Sequence, residues 1–310
     1  MSIELSIVVT IYNAEAAIPE LNSRIIEAAS SITASFEIIF VEDRGRDNSW
    51  SVLRKVATTD KRIKAIRLAR NFGQHNAITA GLYLATGNYV VMMDGDLQDE
   101  PEVIPRLYKE IVDSGKEIIY VRRINRKDSK FKSLTSGIFN QFFTALSGMR
   151  PDAGVGTFRI MSKLVNQSFC QFREVNKYIG GIFYWMNFEH GYLDAEHRER
   201  KYGRSNYNLF KLLKLALNGI LSFSNKPLHL AMYLGFFSAA FALMMGIYFI
   251  LIKLIYQANI NGYYSLIVSI YFIGGMILFV LGIMGQYLGQ IYDQTRARPE
   301  FIIQEKLNIE

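Results

Sequence analysis

Two aspartates separated by one glycine, Asp94 and Asp96, are the residues of this chain best suited to chemistry. They follow a short apolar run, Tyr89–Met93, which predicts a buried parallel strand. Gly95 lets the backbone turn sharply between them, so both carboxylates can reach one hard cation. Mg²⁺ and Mn²⁺ commonly lie between such carboxylates and the phosphates of a substrate. The tripeptide alone is a weak signal, and an ordinary solvated turn is the alternative.

The elements that must position these aspartates alternate along the N-terminal half of the chain. Apolar runs predict five strands, at Leu5–Thr10, Phe36–Val41, Ile63–Leu68, Tyr89–Met93 and Glu117–Val121. Helical patterns lie between them, so the fold class is α/β with a doubly wound, mostly parallel sheet. The sequence argues against a Rossmann dinucleotide site on this sheet, because no G-x-G-x-x-G follows the first strand.

Polar side chains also follow the first two strands. Tyr12, Asn13 and Glu15 come after the first strand, and Glu42, Asp43 and Asp47 come after the second. If these strands neighbour the strand that ends at Asp94, the three ends form one crevice of the kind that binds nucleotides. Ordinary surface loops are the alternative, because the sequence does not fix the order of the strands.

The composition limits the classes of partner. The chain has 310 residues, half of them hydrophobic, and a formal net charge of +7. Such a charge suits nucleic acid, anionic lipid or phosphate-bearing substrates. The basic stretch Tyr120–Lys132 could hold phosphates or be a solvated loop, and it lacks the aromatic ladder of a nucleic-acid site. The single Cys170 excludes an internal disulfide and a cysteine-based metal site.

The C-terminal third predicts a membrane anchor. Leu228–Ile252 and Tyr264–Tyr292 contain no charged residue, and each is long enough to cross a bilayer. The amphipathic segment Asn206–Phe223 before them suits a membrane interface. Basic residues flank the pair at Lys226, Arg296 and Arg298, which places both outer flanks in the cytoplasm. No signal peptide is predicted at the N-terminus, so the N-terminal domain is expected in the cytoplasm as well.

Glycines on the second apolar segment offer close helix packing, and a homo-oligomer through these helices is a candidate assembly. The expected organisation has four parts: an α/β domain over residues 1–165, an interfacial segment over 166–226, a two-helix transmembrane hairpin over 227–295 and a cytoplasmic tail over 296–310.

Several motifs then appear in order along nearly the whole chain: LSIVVTIYNAE, VEDRGRDNSW, LARNFGQHNAITAGLYLATG, MMDGDLQDEPEVIP, GTFRIMSK and SNYNLFKLLKLALNGILSFSNKPL. Together with the two apolar segments, they resemble the family 2 glycosyltransferases of GT-A fold that act on polyprenyl phosphate. The bactoprenol glucosyltransferase group is the most similar, and dolichyl-phosphate mannose synthase is a more distant relative.

The resemblance implies transfer of a hexose, from UDP-glucose, to undecaprenyl phosphate at the cytoplasmic face of a bacterial inner membrane, for cell-surface glycan (O-antigen) modification. It implies Mg²⁺ or Mn²⁺ on Asp94 and Asp96, with Gln98 beside them. The nucleotide contacts that it implies are Thr10, Tyr12, Asn13, Glu15 and Asp43. The lipid-phosphate contacts that it implies are Arg122, Arg126, Lys132, Arg159 and Arg200.

Three positions depart from the pattern of that family. Its D-D-G-S turn is Glu42-Asp43-Arg44-Gly45 here, its G-D is Gly87-Asn88, and its aspartate near the acceptor is Thr157. A threonine cannot act as a carboxylate base, although a phosphate nucleophile is largely dianionic at neutral pH and chiefly needs alignment. We therefore expect reduced or altered activity, with Asp152 a candidate substitute for the missing carboxylate.

Two other functions compete with this enzyme. A transferase-like membrane protein that has lost catalysis could bind donor or lipid as a scaffold, and Thr157 favours it. A processive polysaccharide synthase fits less well, because the Q-x-x-R-W signature of such enzymes is absent from the sequence.

Overall fold

The computed structural model describes residues 3–124, 154–175, 177–196, 224–256 and 262–309, together with residues 144 and 148. Several sequence predictions fall outside these residues: most of the helix over 133–147, the amphipathic segment 206–223, and the side chains of Arg126, Lys132, Asp152 and Arg200. The described residues divide into two compact units, one holding the sheet and the other the two long apolar helices.

The first unit is built on an eight-stranded sheet of order β7-β5-β6-β4-β1-β2-β3-β8. Its strands are β1 (Leu5–Ile11), β2 (Phe36–Glu42), β3 (Ile63–Leu68), β4 (Tyr89–Asp94), β5 (Ile118–Ile124), β6 (Val155–Ser162), β7 (His190–Glu196) and β8 (Ile303–Leu307). The pairs β1–β2, β1–β4, β2–β3 and β5–β7 are parallel. The pairs β3–β8, β4–β6 and β5–β6 are antiparallel, so the sheet is mixed.

Helices cover the sheet: α1 (Ile18–Ser30), α2 (Ser49–Thr59), α3 (Gln74–Leu84), α4 (Ile104–Ser114), α5 (Lys163–Cys170) and α6 (Ile179–Met186). In α1, Ile18, Leu21 and Ile25 recur at helical spacing and are fully buried. The central strands are buried on both faces, as the continuous apolar runs of β1 and β2 predict. The α/β class predicted from the sequence is confirmed.

Three strands were not among the predicted elements. The segment around Thr157 forms β6, which inserts antiparallel between β4 and β5. A polar segment forms β7, and residues of the predicted tail form β8. Their sequences lack a continuous apolar run because β7 and β8 are edge strands and β6 begins at a glycine-rich turn. Only their neighbours in the sheet make them strands.

The second unit contains α7 (Lys226–Tyr256) and α8 (Tyr263–Thr295). The stretches Lys226–Ile252 and Leu266–Thr295 are long and apolar enough to cross a membrane, with mean hydropathies of 2.1 and 2.6. Their apolar side chains face outward, as Leu243 and Leu278 do at 68% and 71% exposure. The Tyr287 hydroxyl donates to the Ser224 carbonyl at 2.7 Å, which joins the end of α8 to the residues before α7. An apolar surface of this extent suits lipid rather than water.

Candidate active site

The ends of three parallel strands meet at the centre of the sheet. Thr10 on β1 is in register with Asp94 on β4, and Ile11 is in register with Glu42 on β2. The chain leaves β1 toward β2 on one side, while β4 pairs on the other, so this edge is a topological switch point. The convergence that the sequence left dependent on strand order is therefore confirmed.

The turn between the two aspartates packs tightly on β1. A Cβ atom at Gly95 would lie 2.6 Å from the Thr10 carbonyl oxygen, so only glycine fits there. The Gly95 amide donates to that same oxygen at 3.1 Å. Leu97 follows with a φ of +60°, and the Gln98 amide donates to Asp96 Oδ1 at 3.1 Å. The turn thus projects Asp96 from a backbone that β1 holds in place.

Protein donors hold the other carboxylate, Asp94. The Thr157 hydroxyl donates to Asp94 Oδ2 at 2.8 Å, and the Gln74 side-chain amide donates to Asp94 Oδ1 at 2.7 Å. The Thr10 hydroxyl lies 3.4 Å from the same Oδ1. Thr157 reaches this position because β6 pairs with β4, with Arg159 opposite Met92. The threonine at the position of the family's aspartate therefore acts as a hydrogen-bond donor to Asp94.

A third carboxylate, Asp99, completes an acidic cluster. It is buried, and the Arg123 guanidinium donates to its Oδ1 at 3.2 Å. Burial and the charges of Asp94 and Asp96 raise the pKa of Asp99 to about 7. Burial also raises the pKa of Asp94, as does Asp96, whereas the bonds from Thr157 and Gln74 lower it. The charge of Asp96 thus disfavours a negative charge on both Asp94 and Asp99.

Such a cluster fits a hard divalent cation, because carboxylate oxygens are the ligands Mg²⁺ and Mn²⁺ prefer and a cation would relieve the repulsion. Across the described ranges, no three His, Cys, Asp or Glu side chains form a complete metal site by themselves. Asp94 and Asp96 are the two residues here that could contribute carboxylate oxygens to such a cation, and their role as metal ligands stays a prediction.

Asp43, a predicted nucleotide contact, is buried under the loop between β3 and α3. It accepts hydrogen bonds from the Phe72 amide at 2.7 Å and the Gly73 amide at 2.9 Å. Burial raises the pKa of Asp43 to about 6, and those two bonds oppose the shift. Asp43 thus fixes the entrance to α3, from which Gln74 reaches Asp94.

The loops after β1 and β2 are joined by hydrogen bonds. Asn13 Oδ1 accepts from the Arg46 amide at 2.7 Å, and Glu15 Oε2 accepts from the Asn48 amide at 3.1 Å. The Glu15 amide in turn donates to Asp47 at 2.9 Å. Tyr12 lies beside this junction with its side chain exposed. Its ring is open to a ligand, whereas Asn13 and Glu15 hold one loop to the other.

The two described lipid-phosphate candidates lie in different environments. Arg159 is buried between the rings of Tyr120 and Phe183, and it donates to the carbonyls of Thr157 and Gly156 at 3.0 and 2.9 Å. Arg122 is half exposed and donates to Asp194 at 2.6 and 3.0 Å. Contact of either residue with a lipid phosphate stays a prediction; the described contacts of Arg159 support the Thr157 segment.

The model for glycosyl transferase family 2 matches residues 6–166, slightly more than half of the chain. The chain belongs to glycosyl transferase family 2. It is 35% identical to the glycosyltransferase YkcC of Bacillus subtilis, over 99% of this chain and 95% of that protein. It is 34% identical to the bactoprenol glucosyl transferase of Shigella phage SfX, over 98% of this chain and 99% of that protein.

A third relative is an undecaprenyl-phosphate 4-deoxy-4-formamido-L-arabinose transferase of Shewanella sediminis, at 31% identity over 98% of this chain and 92% of that protein. Among solved structures, the chain is similar to glucosyl-3-phosphoglycerate synthase from Mycobacterium tuberculosis, with a TM-score of 0.49, 14% identity, and coverage of 70% of this chain and 76% of that one. The family and the enzyme class expected from the sequence motifs are confirmed.

Sequence reasoning missed three residues of this family 2 site as partners of the aspartates. Gln74 lies within a quoted motif, yet its contact with Asp94 depends on the position of α3. Asp99 lies within the quoted motif MMDGDLQDEPEVIP and Arg123 within the basic stretch Tyr120–Lys132, and no local pattern singles out either residue. Their pairing requires β5 to lie close to the turn after β4, which the sequence does not reveal.

Proposed function

We propose that this glycosyltransferase moves a hexose from a nucleotide sugar to the phosphate of a polyprenyl phosphate at a membrane surface. UDP-glucose is the proposed donor and undecaprenyl phosphate the proposed acceptor. The observation that supports the proposal best is the meeting of Asp94 and Asp96 with the loops after β1 and β2 at one sheet edge. Relatives named for bactoprenol and undecaprenyl phosphate, matched over almost the whole chain, support the acceptor class.

In the proposed step, an oxygen of the lipid phosphate attacks the anomeric carbon of the sugar. The bond from that carbon to the nucleoside diphosphate breaks, and its electron pair leaves with the diphosphate. A direct displacement inverts the anomeric centre, so an α-linked donor gives a β-linked lipid phosphate. No general base is required, since the second pKa of such a phosphate is about 6 and the nucleophile is already ionised at neutral pH.

The residues of the chain then have distinct tasks. Tyr12 and the joined loops that hold Asn13 and Glu15 form the nucleotide side, and Asp43 supports them through the Phe72–Gly73 backbone. Asp94 and Asp96 would hold Mg²⁺ or Mn²⁺ on the diphosphate, and when bound the cation would supply charge neutralisation of the leaving group. Thr157 fixes the rotamer of Asp94 by donating to it.

On the acceptor side, positive charge is proposed to hold the lipid phosphate. Arg122 is the described candidate, and Arg126, Lys132 and Arg200 are candidates outside the described residues. Arg122 must exchange its bonds to Asp194 for bonds to the phosphate, which costs little because the pair is exposed to solvent.

The proposed location is a bacterial inner membrane, with α7 and α8 as two crossings. The strand β8 follows α8 in sequence yet belongs to the same sheet as β1–β7. Two crossings return a chain to the side from which it entered, so the presence of β8 in the same sheet as β1–β7 supports the proposed hairpin. The basic residues Lys226, Arg296 and Arg298 support the cytoplasm as the side that holds the catalytic domain and both termini.

The first test measures transfer of radiolabelled glucose from UDP-glucose to undecaprenyl phosphate in detergent, with Mg²⁺, with Mn²⁺ and with EDTA. We expect metal-dependent lipid product from the native chain. Asp96→Asn should lower the rate by about 100-fold or more, as loss of a preorganised charge contact does. If neither metal nor any of several nucleotide sugars gives a lipid product, the transfer proposal is wrong and the scaffold alternative gains support.

Two changes at Thr157 complete the test. Thr157→Val keeps the shape and removes the donor to Asp94, so we expect a rate loss of about 10-fold, the worth of one hydrogen bond to a charged group. Thr157→Asp places the family's carboxylate beside Asp94. The transfer rate of this variant, compared with that of the native chain, shows which of the two residues serves the reaction better. Product from Thr157→Asp alone would mean that the native chain is an inactive form.

A further inference from the structure

The segment after α8 is anchored to the catalytic unit at both of its ends. At the start, Glu300 pairs with the fully buried Lys177 side chain at 2.7 Å. At the end, the Asn308 side-chain amide donates to the carbonyls of Ala57 and Ile63 at 2.6 and 2.8 Å. Between these anchors, β8 pairs antiparallel with β3. The segment is thus an integral part of the sheet's edge.

From this edge, Glu305 contacts α2, the helix that follows the loop after β2. Its carboxylate accepts from Trp50 Nε1 at 3.2 Å and from Arg54 Nη2 at 2.5 Å. It also pairs with Arg67 Nη1 at 3.6 Å. Arg67 donates through its Nε to Glu42 Oε2 at 3.0 Å, so this one guanidinium lies between two carboxylates.

Glu42 links Arg67 to the loop over residues 43–47. It is almost completely buried, and its Oε1 accepts from the Gly45 amide at 2.5 Å. A Cβ atom at Gly45 would lie 2.9 Å from Asn13 Oδ1, so the loop rests directly on the predicted nucleotide contact. A buried carboxylate needs its cation, because an unpaired charge out of water is costly.

A second contact joins β8 to the same loop. Arg44 has a φ of +53°, which non-glycine residues seldom adopt, and its Nη1 donates to Gln304 Oε1 at 2.5 Å. Gln304 and Glu305 therefore hold the loop over residues 43–47 from two directions. The departure from the family pattern at Glu42 and Arg44 coincides with the two residues that make these contacts.

We propose that Gln304 and Glu305 of β8 are positioning residues for donor binding, acting through Arg44 and through Arg67 and Glu42 on the loop that meets Asn13. The C-terminal strand thereby sets the affinity for the nucleoside diphosphate part of the donor. This inference rests on the proposed function for the choice of ligand. Neither residue contacts the acidic cluster in the described structure, so the effect belongs in binding rather than in the chemical step.

The test uses the full-length protein in detergent and UDP with MnCl₂ as the probe, measured by calorimetry, beside steady-state kinetics. Glu305→Gln keeps the size of the side chain and removes its charge, and we expect the Kd of UDP and the donor KM to rise about 5–10-fold. The kcat and the acceptor KM should stay unchanged, and Glu305→Asp should restore part of the affinity. Gln304→Ala should raise the same Kd about 2–3-fold. Lys306 is exposed on the same strand, so Lys306→Ala is the matched control, and its Kd for UDP should equal that of the native chain.

A Glu305→Gln variant that melts earlier but binds UDP as the native chain does would make the strand purely structural and overturn the inference. If Glu305→Gln does not fold, unchanged UDP binding by the exposed Gln304→Ala variant would overturn it. Native protein that binds UDP without transferring sugar would contradict the proposed function but not this inference. Native protein that binds no UDP would contradict both the proposed function and this inference.

Discussion

The two sides of the site are built in opposite ways. On the proposed nucleotide side, Asp43 and Glu42 are buried, and each is hydrogen-bonded to backbone amides. On the proposed acceptor side, Arg122 and Asp194 form an ion pair with 47% and 46% of their side chains exposed. Buried, fully bonded carboxylates fix a geometry before a ligand arrives, whereas an exposed pair can exchange partners at little cost. The proposed nucleotide side is therefore preorganised, and the proposed acceptor side is adaptable.

The largest effect should follow from breaking the preorganised side. Asp43→Ala leaves the Phe72 and Gly73 amides without their acceptor, which should cost about 2 kcal/mol of unfolding free energy. We also expect the donor kcat/KM to fall about 100-fold, because the entrance to α3 and Gln74 shift with that loop. Denaturant unfolding and donor kinetics measure the two effects, and Asp113→Ala on the exposed face of α4 is the control. Donor kinetics equal to the native chain's would show that the buried side is not preorganised for donor.

A second change tests Arg159. The resemblance implies that this residue contacts the lipid phosphate, yet it is buried, as Asp43 and Glu42 are. Arg159→Met keeps the packing between Tyr120 and Phe183 and removes the donors to the Thr157 and Gly156 carbonyls. We expect kcat to fall about 10-fold or more with the acceptor KM unchanged, because Thr157 loses its support. A rise in acceptor KM at constant kcat would instead assign Arg159 to the lipid phosphate.

The pH dependence of stability provides a third test of the buried carboxylates. The pKa of Asp99 is raised to about 7 from an ordinary value of 3.8. The folded state therefore holds this proton more tightly than the unfolded chain, and the contribution of Asp99 to stability falls as pH rises from about 4 to about 7. We expect the melting temperature of the native chain, relative to Asp99→Asn, to decline across this window in EDTA. A difference between the two proteins that stays constant or grows with pH would contradict the burial argument.

The smallest effect on stability is expected on the exposed side. Asp194→Asn and Arg122→Ala should leave the melting temperature unchanged within about 1 °C, because solvated pairs contribute little. Their effects on acceptor kinetics should differ in sign. Arg122→Ala should raise the acceptor KM about 5-fold, whereas Asp194→Asn should lower it by removing a carboxylate that competes with the lipid phosphate. Equal changes in both variants would show that the pair works only as a unit.

The sequence by itself determined the family, the strands with continuous apolar runs and the aspartates at the end of one of them. Local pattern suffices for these features, because burial on both faces requires an unbroken apolar run and a glycine between two acids permits a sharp turn. It also indicated two helices that suit lipid, since length and absence of charge are properties of the chain alone.

Only the tertiary structure decided which partners these residues meet. The contacts of Thr157 and Gln74 with Asp94 join residues 63 and 20 positions apart, and that of Glu305 with Arg54 spans 251. β6 and β8 become strands because neighbouring strands offer them hydrogen bonds, and those neighbours are distant in sequence. Contacts between distant residues depend on strand order, and strand order is set by packing of the whole sheet rather than by any local pattern.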